Sequence, residues 1–270
     1  MKLSNAMYRA ICYSDVFDFP ITLDEMRKFS IKVGAPVSEK IIEKRVRHIH
    51  GYFCLRGREK LVTKRLRNEV FYQDKLRRTS FVCRICAYIP TVSAVFITGG
   101  LAVGNVRFED DIDFLIVTKP GWLWTSRFLL VMIAKLLRMY THKRLYRGDA
   151  TSADANTWCF NLWLSEYGLT VPKDKRNLYT AHEVLQARPL LDKHHVSDRF
   201  LSENAWVEQF IDCRIAKKTT QTQSFHILFI EKCFHWIQHI GKSKKLSYHV
   251  ATFFPVSTAD QVIREYEKRL

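Results

Sequence analysis

Two glycines, Gly99 and Gly100, and two aspartates, Asp111 and Asp113, have the types and spacing to do chemistry together. The glycines follow residues 92–98, Val-Ser-Ala-Val-Phe-Ile-Thr, whose β-branched and aromatic character reads as a buried strand. Residues 101–110 separate Gly100 from Asp111, and Asp111-Ile-Asp113 then runs into 114–117, a second apolar strand. Side chains two apart on a strand share a face, so the two carboxylates point the same way. Such a pair repels unless a cation sits between its members. Mg²⁺ (or Mn²⁺) suits it, because it takes hard oxygen ligands from one or two carboxylates and from substrate phosphates. Gly-Gly permits a tight turn and close approach of a ligand to the backbone. Residues 101–104 suggest a helical turn whose free N–H groups face a phosphate. Asp110 points to the other side and is assigned to the turn.

The order strand, Gly-Gly, spacer, Asp-Ile-Asp within a second strand resembles the DNA polymerase beta-like nucleotidyltransferase superfamily. Its motif is Gly-[Gly/Ser], a spacer of about ten residues, then Asp-hydrophobic-Asp. The chain as a whole resembles bacterial nucleotidyltransferase-domain proteins with a winged-helix-like N-terminus. The shared stretches are Ser-Asp-Val-Phe-Asp-Phe-Pro at 14–20, Gly-Tyr-Phe and Gly-Arg-Glu within 51–59, Asn-Leu-Trp-Leu at 161–164 and Leu-Tyr-Thr-Ala-His-Glu at 178–183. The resemblance implies an enzyme that binds an NTP such as ATP and moves its NMP to a hydroxyl acceptor. Asp111 and Asp113 would be the catalytic, metal-holding pair, and Gly99 and Gly100 would make room for the phosphates. The metal would neutralise charge as pyrophosphate leaves. Many members carry Ser where Gly100 stands. The resemblance also implies a third carboxylate on a later strand. The matching strand here is 157–164, whose inward polar residue is Asn161; the acids that could substitute are Asp154, Glu166 and Glu183. The alternative is a winged-helix nucleic-acid-binding or regulatory protein whose transferase domain senses nucleotides without turnover.

The elements that must position these residues read as an α+β chain in three parts. Residues 1–75 form a winged-helix-like unit, 76–170 a nucleotidyltransferase α/β domain with a mixed sheet, and 171–270 a helical C-terminal region. A first helix spans 5–19 and stops before Pro20. Thr22 and Glu25 form a capping box for a second. Ser38 caps a third over 39–49, ended by Gly51. Residues 52–55 and 60–62 flank Gly57 as a hairpin, and a long helix covers 66–88. Residues 122–140 form an apolar helix whose uninterrupted run, 128–134, falls far short of the roughly 20 residues that span a bilayer. Further helices are expected at 178–187, 198–211, 223–240 and from Ser257 to the end.

The 270 residues carry a formal net charge of +16, and 14 Lys/Arg against 4 Asp/Glu fall within 40–84. A clustered basic surface attracts polyanions. Nucleic acid is therefore an expected partner of this segment, through Lys40, Lys44, Arg45 and Arg47 of the third helix and Arg56, Arg58 and Lys60 of the hairpin. Lys143, Arg144 and Arg147 precede the 157–164 strand and suit a triphosphate. The only Cys-x-x-Cys, Cys83 and Cys86, lacks a second pair and reads as core. With no leader pattern at the start, the cysteines point to a reducing cytoplasm and no membrane. His182 and Glu183 are adjacent on a helix, about 100° apart, so both cannot line one pocket squarely; they read as ordinary helix polar groups, the alternative being that one of them faces a pocket. His194 and His195 read as surface.

Overall fold

The computed structural model describes residues 3–140, 155–216, 227–239, 247–252 and 257–270. The Ser4 hydroxyl accepts from the Met7 N–H and opens α1 (Asn5–Asp15). After β1 (Ile21–Thr22) comes α2 (Leu23–Lys28), held at its start by the full Thr22/Glu25 capping box. Then follow α3 (Glu39–Arg45), β2 (Val46–Ile49), β3 (Tyr52–Leu55) and the long α4 (Lys60–Tyr88). Here the expected boundaries move. The third helix stops at Arg45, and 46–49 pairs with 52–55 instead of continuing the helix. His50 and Gly51 both take positive φ, 49° and 83°. A two-residue loop of that kind matches the twist of the strands it joins. With the hairpin closed one strand early, residues 60–62 are free to start α4. β3 also pairs with β1, giving an antiparallel sheet in the order β1-β3-β2.

The second sheet is built from β4 (Val92–Ile97), β5 (Ile112–Thr118), β6 (Trp158–Ser165), β7 (Arg188–Asp192) and β8 (Val250–Thr252). Its order is β7-β4-β5-β6-β8, with β5 and β6 parallel and the other pairs antiparallel. The chain is thus α+β with a mixed sheet. Among its helices are α5 (Gly99–Val103), α6 (Leu123–Leu136), α7 (Leu178–Gln186), α8 (Val196–Glu203), α9 (Phe229–His239) and α10 (Ser257–Glu267). The C-terminal region, expected to be helical, supplies both edge strands of this sheet. In β7, Pro189 pairs with Phe96, and an edge strand tolerates a residue with no N–H. The expected 198–211 helix divides into α8 and a short 3₁₀ segment, Ala205–Gln209. Residues 223–226 and 240, at the ends of the expected 223–240 helix, lie outside the described residues. No helix among the described residues is long and apolar enough to cross a membrane.

β4 is buried along its whole length, as suits a strand covered on both faces. On one face, Val95, Ile97, Phe114, Ile116, Trp158 and Trp163 pack with side chains of α4 and α6; Cys83 and Cys86 belong to this core. On the other, Phe96, Leu115 and Val117 share a single core with Tyr8 and Ile11 of α1, Ala181 and Val184 of α7, and Tyr266 of α10. The N-terminal unit therefore packs into the same core as the five-stranded sheet. Several basic residues counted toward a nucleic-acid face hold this packing together. Arg58 and Arg269 each donate to Asp15, at 3.0 and 2.9 Å. Arg45 donates to the carbonyls of Arg269 and Leu270, both at 2.6 Å. Arg65 pairs with Glu25 at 2.7 Å and lies over the Phe19 ring. At the far side, fully buried Glu231 of α9 accepts from the Trp124 and Thr125 N–H groups, satisfying donors at the start of α6.

His182 of α7 is buried in this core, stacked on Tyr13 at 3.8 Å, and its Nδ1–H donates to the Leu178 carbonyl. Burial drops its pKa to about 4. The folded state holds the neutral ring, whereas an unfolded chain protonates it near pH 6.5. Its contribution is therefore intact above that pH and is lost as the pH falls toward 4. His182→Phe, which keeps the stacked ring, should reduce the stability lost between pH 7 and pH 4 by roughly 3 kcal/mol, read from urea unfolding at the two pH values. Equal losses in both proteins would mean that the folded state accommodates the imidazolium.

Candidate functional site

Because β4 and β5 run antiparallel, the end of one meets the start of the other. Thr98, just past β4, donates its N–H to the Asp113 carbonyl at 3.1 Å. The next two residues turn into α5. Gly99 has φ +61°, and a Cβ there would stand 2.8 Å from Asp113 Oδ2. A Cβ on Gly100 would stand 2.4 Å from the Asn105 carbonyl oxygen. The two glycines answer two obstacles: the carboxylate itself and the backbone that returns from α5. The second obstacle also excludes Ser at position 100.

The loop into β5 is pinned from below. Lys75 of α4, 1 % exposed, donates to the carbonyls of Phe108 (3.1 Å) and Asp110 (2.6 Å) and to Asn156 Oδ1 (3.1 Å). Burial lowers its pKa, against the opposing pull of Asp110 and Asp111. Lys75 thus belongs to the site's foundation and not to the basic surface in which its charge was counted. Asp110 accepts from the Arg107 N–H at 2.7 Å and so holds the turn, but it borders the same cleft as Asp111 and Asp113 instead of turning away from it.

β6 lies parallel to β5 with Cys159 opposite Asp113. The next pair on this register is Leu115 with Leu162, so β6 carries one extra residue at this point, a bulge. Cys159 Sγ and one carboxylate oxygen each from Asp111 and Asp113 lie within 4.8 Å of one another. The thiol shares hydrogen bonds with both carboxylates, and burial followed by the two negative charges pushes its pKa far up. Burial likewise raises Asp111, with the thiol's hydrogen bond and Lys75 pulling the other way and Asp110 adding to the rise. Asn161 lies in β6, but its side chain is outside the described residues, as are Asp154, Lys143, Arg144 and Arg147. Among the described residues, the metal-ligating side chain that the structure brings to the aspartate pair is Cys159. Its signal in the sequence is its place two residues before Asn161 in an extended run, which puts the two side chains on one face of a regular strand.

The aspartates form the floor of a cleft of about 630 Å³. Aromatic rings line it: Tyr13, Phe17 and Phe19 from the end of α1 and the chain just after it, Phe29 after α2, Tyr72 of α4 and Tyr179 of α7. Among the described residues lining it, the cations are Lys28 and Arg188, neither of which was singled out from the sequence. Glu183 also reaches this cleft, and burial raises its pKa to about 7. Tyr179 feels the charges of both Glu183 and Asp113, which places the hydroxyl in the field of both acids. Both members of the adjacent pair on α7 border the cleft, but the His182 ring is committed to Tyr13 and Leu178, which leaves Glu183 as the acid available to it. Glu166, at the far end of β6, is held by Arg199 at 2.9 Å and does not line the cleft. His194 and His195 are exposed.

No protein-family model, curated protein or solved structure matches the chain. What the site can do follows from its own donors. Two carboxylates and a thiol suit a divalent cation, and Gly99 keeps the space beside Asp113 clear. Aromatic walls suit a planar ring. An acid that titrates near neutrality suits proton transfer.

Lys75→Met should leave the loop carbonyls without their donor and loosen Asp111. Outer-shell changes of this kind typically weaken metal binding about 10–100-fold. We expect a loss in that range for Mn²⁺, measured by calorimetric titration with circular dichroism as the fold control. Unchanged affinity would mean that the loop holds its shape without the lysine.

Proposed function

We propose that the chain is a divalent-metal-dependent nucleotidyltransferase that moves an NMP from an NTP to a hydroxyl acceptor. The observation that carries this reading is the meeting of Gly99-Gly100 with Asp111 and Asp113 at the floor of an aromatic-lined cleft. That is the arrangement implied by the resemblance to the DNA polymerase beta-like superfamily. A divalent cation (Mg²⁺ or Mn²⁺ in the first instance) would offset the charge that builds on the phosphates as pyrophosphate leaves. The aromatic rings offer faces for the base. Lys28 and Arg188 offer charge to the phosphates. Glu183 takes the proton of the acceptor hydroxyl as the acceptor oxygen bonds to the α-phosphorus and the bond to pyrophosphate breaks. Substrate positioning by such groups is most of what in-line transfer requires.

In this reading the N-terminal unit serves the cleft. Its element order, α1-β1-α2-α3-β2-β3 with the sheet ordered β1-β3-β2, supports a winged helix. Tyr13, Phe17, Lys28 and Phe29 of this unit line the nucleotide site. α3, the helix that would enter a groove of DNA, exposes Glu39 and Glu43 beside Lys40 and Lys44. Arg45, Arg58 and Arg65 turn to internal partners, while Arg56, Lys60, Lys64 and Arg67 stay exposed, so a polyanion would meet the hairpin and the start of α4 before α3.

Transfer from α-labelled ATP, GTP, CTP and UTP, offered with the protein, an RNA pool and a small-molecule extract as acceptors, tests the proposal. Label should move in the wild type and not in Asp113→Asn. Nucleotide binding without transfer under any of these conditions would instead assign the cleft to nucleotide sensing.

The base assignment has its own signature. A carboxyl accepts a proton only when ionised, so transfer should rise with pH through about 7. Tyr13 and Tyr179 interact with Glu183, and both have pKa values raised far above this range. Glu183→Gln should lower turnover by about 10²–10⁴ and flatten the profile. An unchanged profile in that variant would place the base elsewhere.

A further inference from the structure

Cys159 occupies the position beside the aspartate pair where a magnesium site would carry a third oxygen. Mg²⁺ binds hard oxygen ligands and gives up its water reluctantly. A thiolate favours softer cations such as Zn²⁺ and its neighbours in the transition series. The surroundings of Cys159 suit a ligand more than a core residue. Unlike Cys86, which packs among apolar side chains, Cys159 is 6 % exposed and hydrogen-bonds with both carboxylates. The donor atoms lie within 4.8 Å of one another. Metal–sulfur and metal–oxygen bonds of about 2.3 and 2.0–2.2 Å put tetrahedral donors roughly 3.5 Å apart, so small side-chain rotations would close the three around one ion.

A second observation points to the same place. Thr98 is 7 % exposed and its hydroxyl has no hydrogen-bond partner. It stands opposite Asp113 in the β4–β5 ladder, bonded through its N–H to the Asp113 carbonyl, and it lines the cleft. Residues opposed in an antiparallel ladder present their side chains to the same face. An orphaned hydroxyl on the aspartate face is a partner waiting for a metal-bound water or a phosphate oxygen. Charge also balances. Two carboxylates and a thiolate around a divalent cation leave one negative charge, and the buried Lys75 ammonium lies beneath the same loop.

We infer that Cys159 is a third protein ligand of the cation held by Asp111 and Asp113, and that the site takes a cation of the zinc–cobalt class in preference to magnesium. This rests on the metal-dependent reading of the cleft but not on turnover. As the sulfur–metal bond forms, the thiol proton leaves to solvent, one per cation bound. Three protein ligands leave a coordination position open for a phosphate oxygen or water, as in catalytic zinc sites.

Cobalt(II) is the probe, because sulfur ligation gives it a near-ultraviolet charge-transfer band that oxygen ligation does not. Titrating the full chain should yield that band with one proton released per ion. Cys159→Ser should lose both and bind Co²⁺ and Zn²⁺ at least tenfold more weakly, with its Mg²⁺ affinity little changed. Cys159→Asp should bind Mg²⁺ more tightly than the wild type. Because the chain has other cysteines, the wild-type minus Cys159→Ser difference is the quantity read, with circular dichroism confirming that both variants fold. Cobalt bound without the difference band, magnesium bound as tightly as zinc, or no cobalt bound at all would each overturn the inference. Label transfer in the wild type together with cobalt bound without the difference band would overturn the inference while leaving the transferase standing; the cobalt band without transfer would do the reverse.

Discussion

Asp111 and Asp113 stand side by side, half-buried at the floor of the cleft, and much of the surrounding architecture is arranged around their repulsion. A partly desolvated pair of like charges at the mouth of a buried strand strains the strand unless its neighbours compensate. The Cys159 thiol, on the neighbouring strand, stands within reach of both carboxylates and can give its one proton to either. Lys75 sits under the loop that delivers Asp111 and anchors two of its carbonyls. Gly99 withdraws a side chain from the one direction in which Asp113 has no room. These are partial answers, contributed by three separate elements, and a bound cation would complete them. Buried charge of this kind is costly to keep for structural reasons alone, and an apolar pair would have closed the sheet end more simply.

The cleft above this pair is assembled from distant parts of the chain. α1 and the segments after α1 and α2 bring aromatic rings, β4 and β5 bring the floor, and α7 brings Tyr179 and Glu183. No one of these parts makes a pocket alone. The N-terminal unit is fixed there because its apolar face is continuous with the sheet's, and because Asn105 in the loop after α5 donates to the Phe17 carbonyl. The basic residues follow the same logic. Those placed to grip Asp15, Glu25 and backbone carbonyls hold the unit against the rest of the protein, and this explains how a chain of such high positive charge presents a mixed-charge α3.

What was legible in the sequence was what local rules determine. The Thr22/Glu25 box and the strand before Gly99-Gly100 lie within a few residues of their causes, and so does the apolar run after Asp113. The hairpin was misplaced by one strand because 41–49 alternates well enough for a helix face and a strand at once; the positive φ of His50 and Gly51, which decides between them, belongs to the turn alone. β7 escaped notice because Pro189 argues against a strand unless that strand lies at an edge, and edges are decided by the whole sheet. Cys159 depended on the register of two strands more than 40 residues apart and on a bulge between them, neither of which has a local signature. Glu183 was among the acids considered, but only the packing of α7 against the N-terminal unit separates it from Glu166.

The contact between Asp15 and Arg269 spans 254 positions of the chain. Closing a loop of that size costs roughly 5 kcal/mol in chain entropy before any contact within it is gained. Asp15 is therefore synthesised well before its partner, which at about 5–20 residues per second is a wait of roughly 10–50 s. Until then the apolar side of α1 has no α10 to cover it, and the aromatic wall it carries has no fixed place over the aspartates. The nascent chain therefore has the residues of the site long before it has the site.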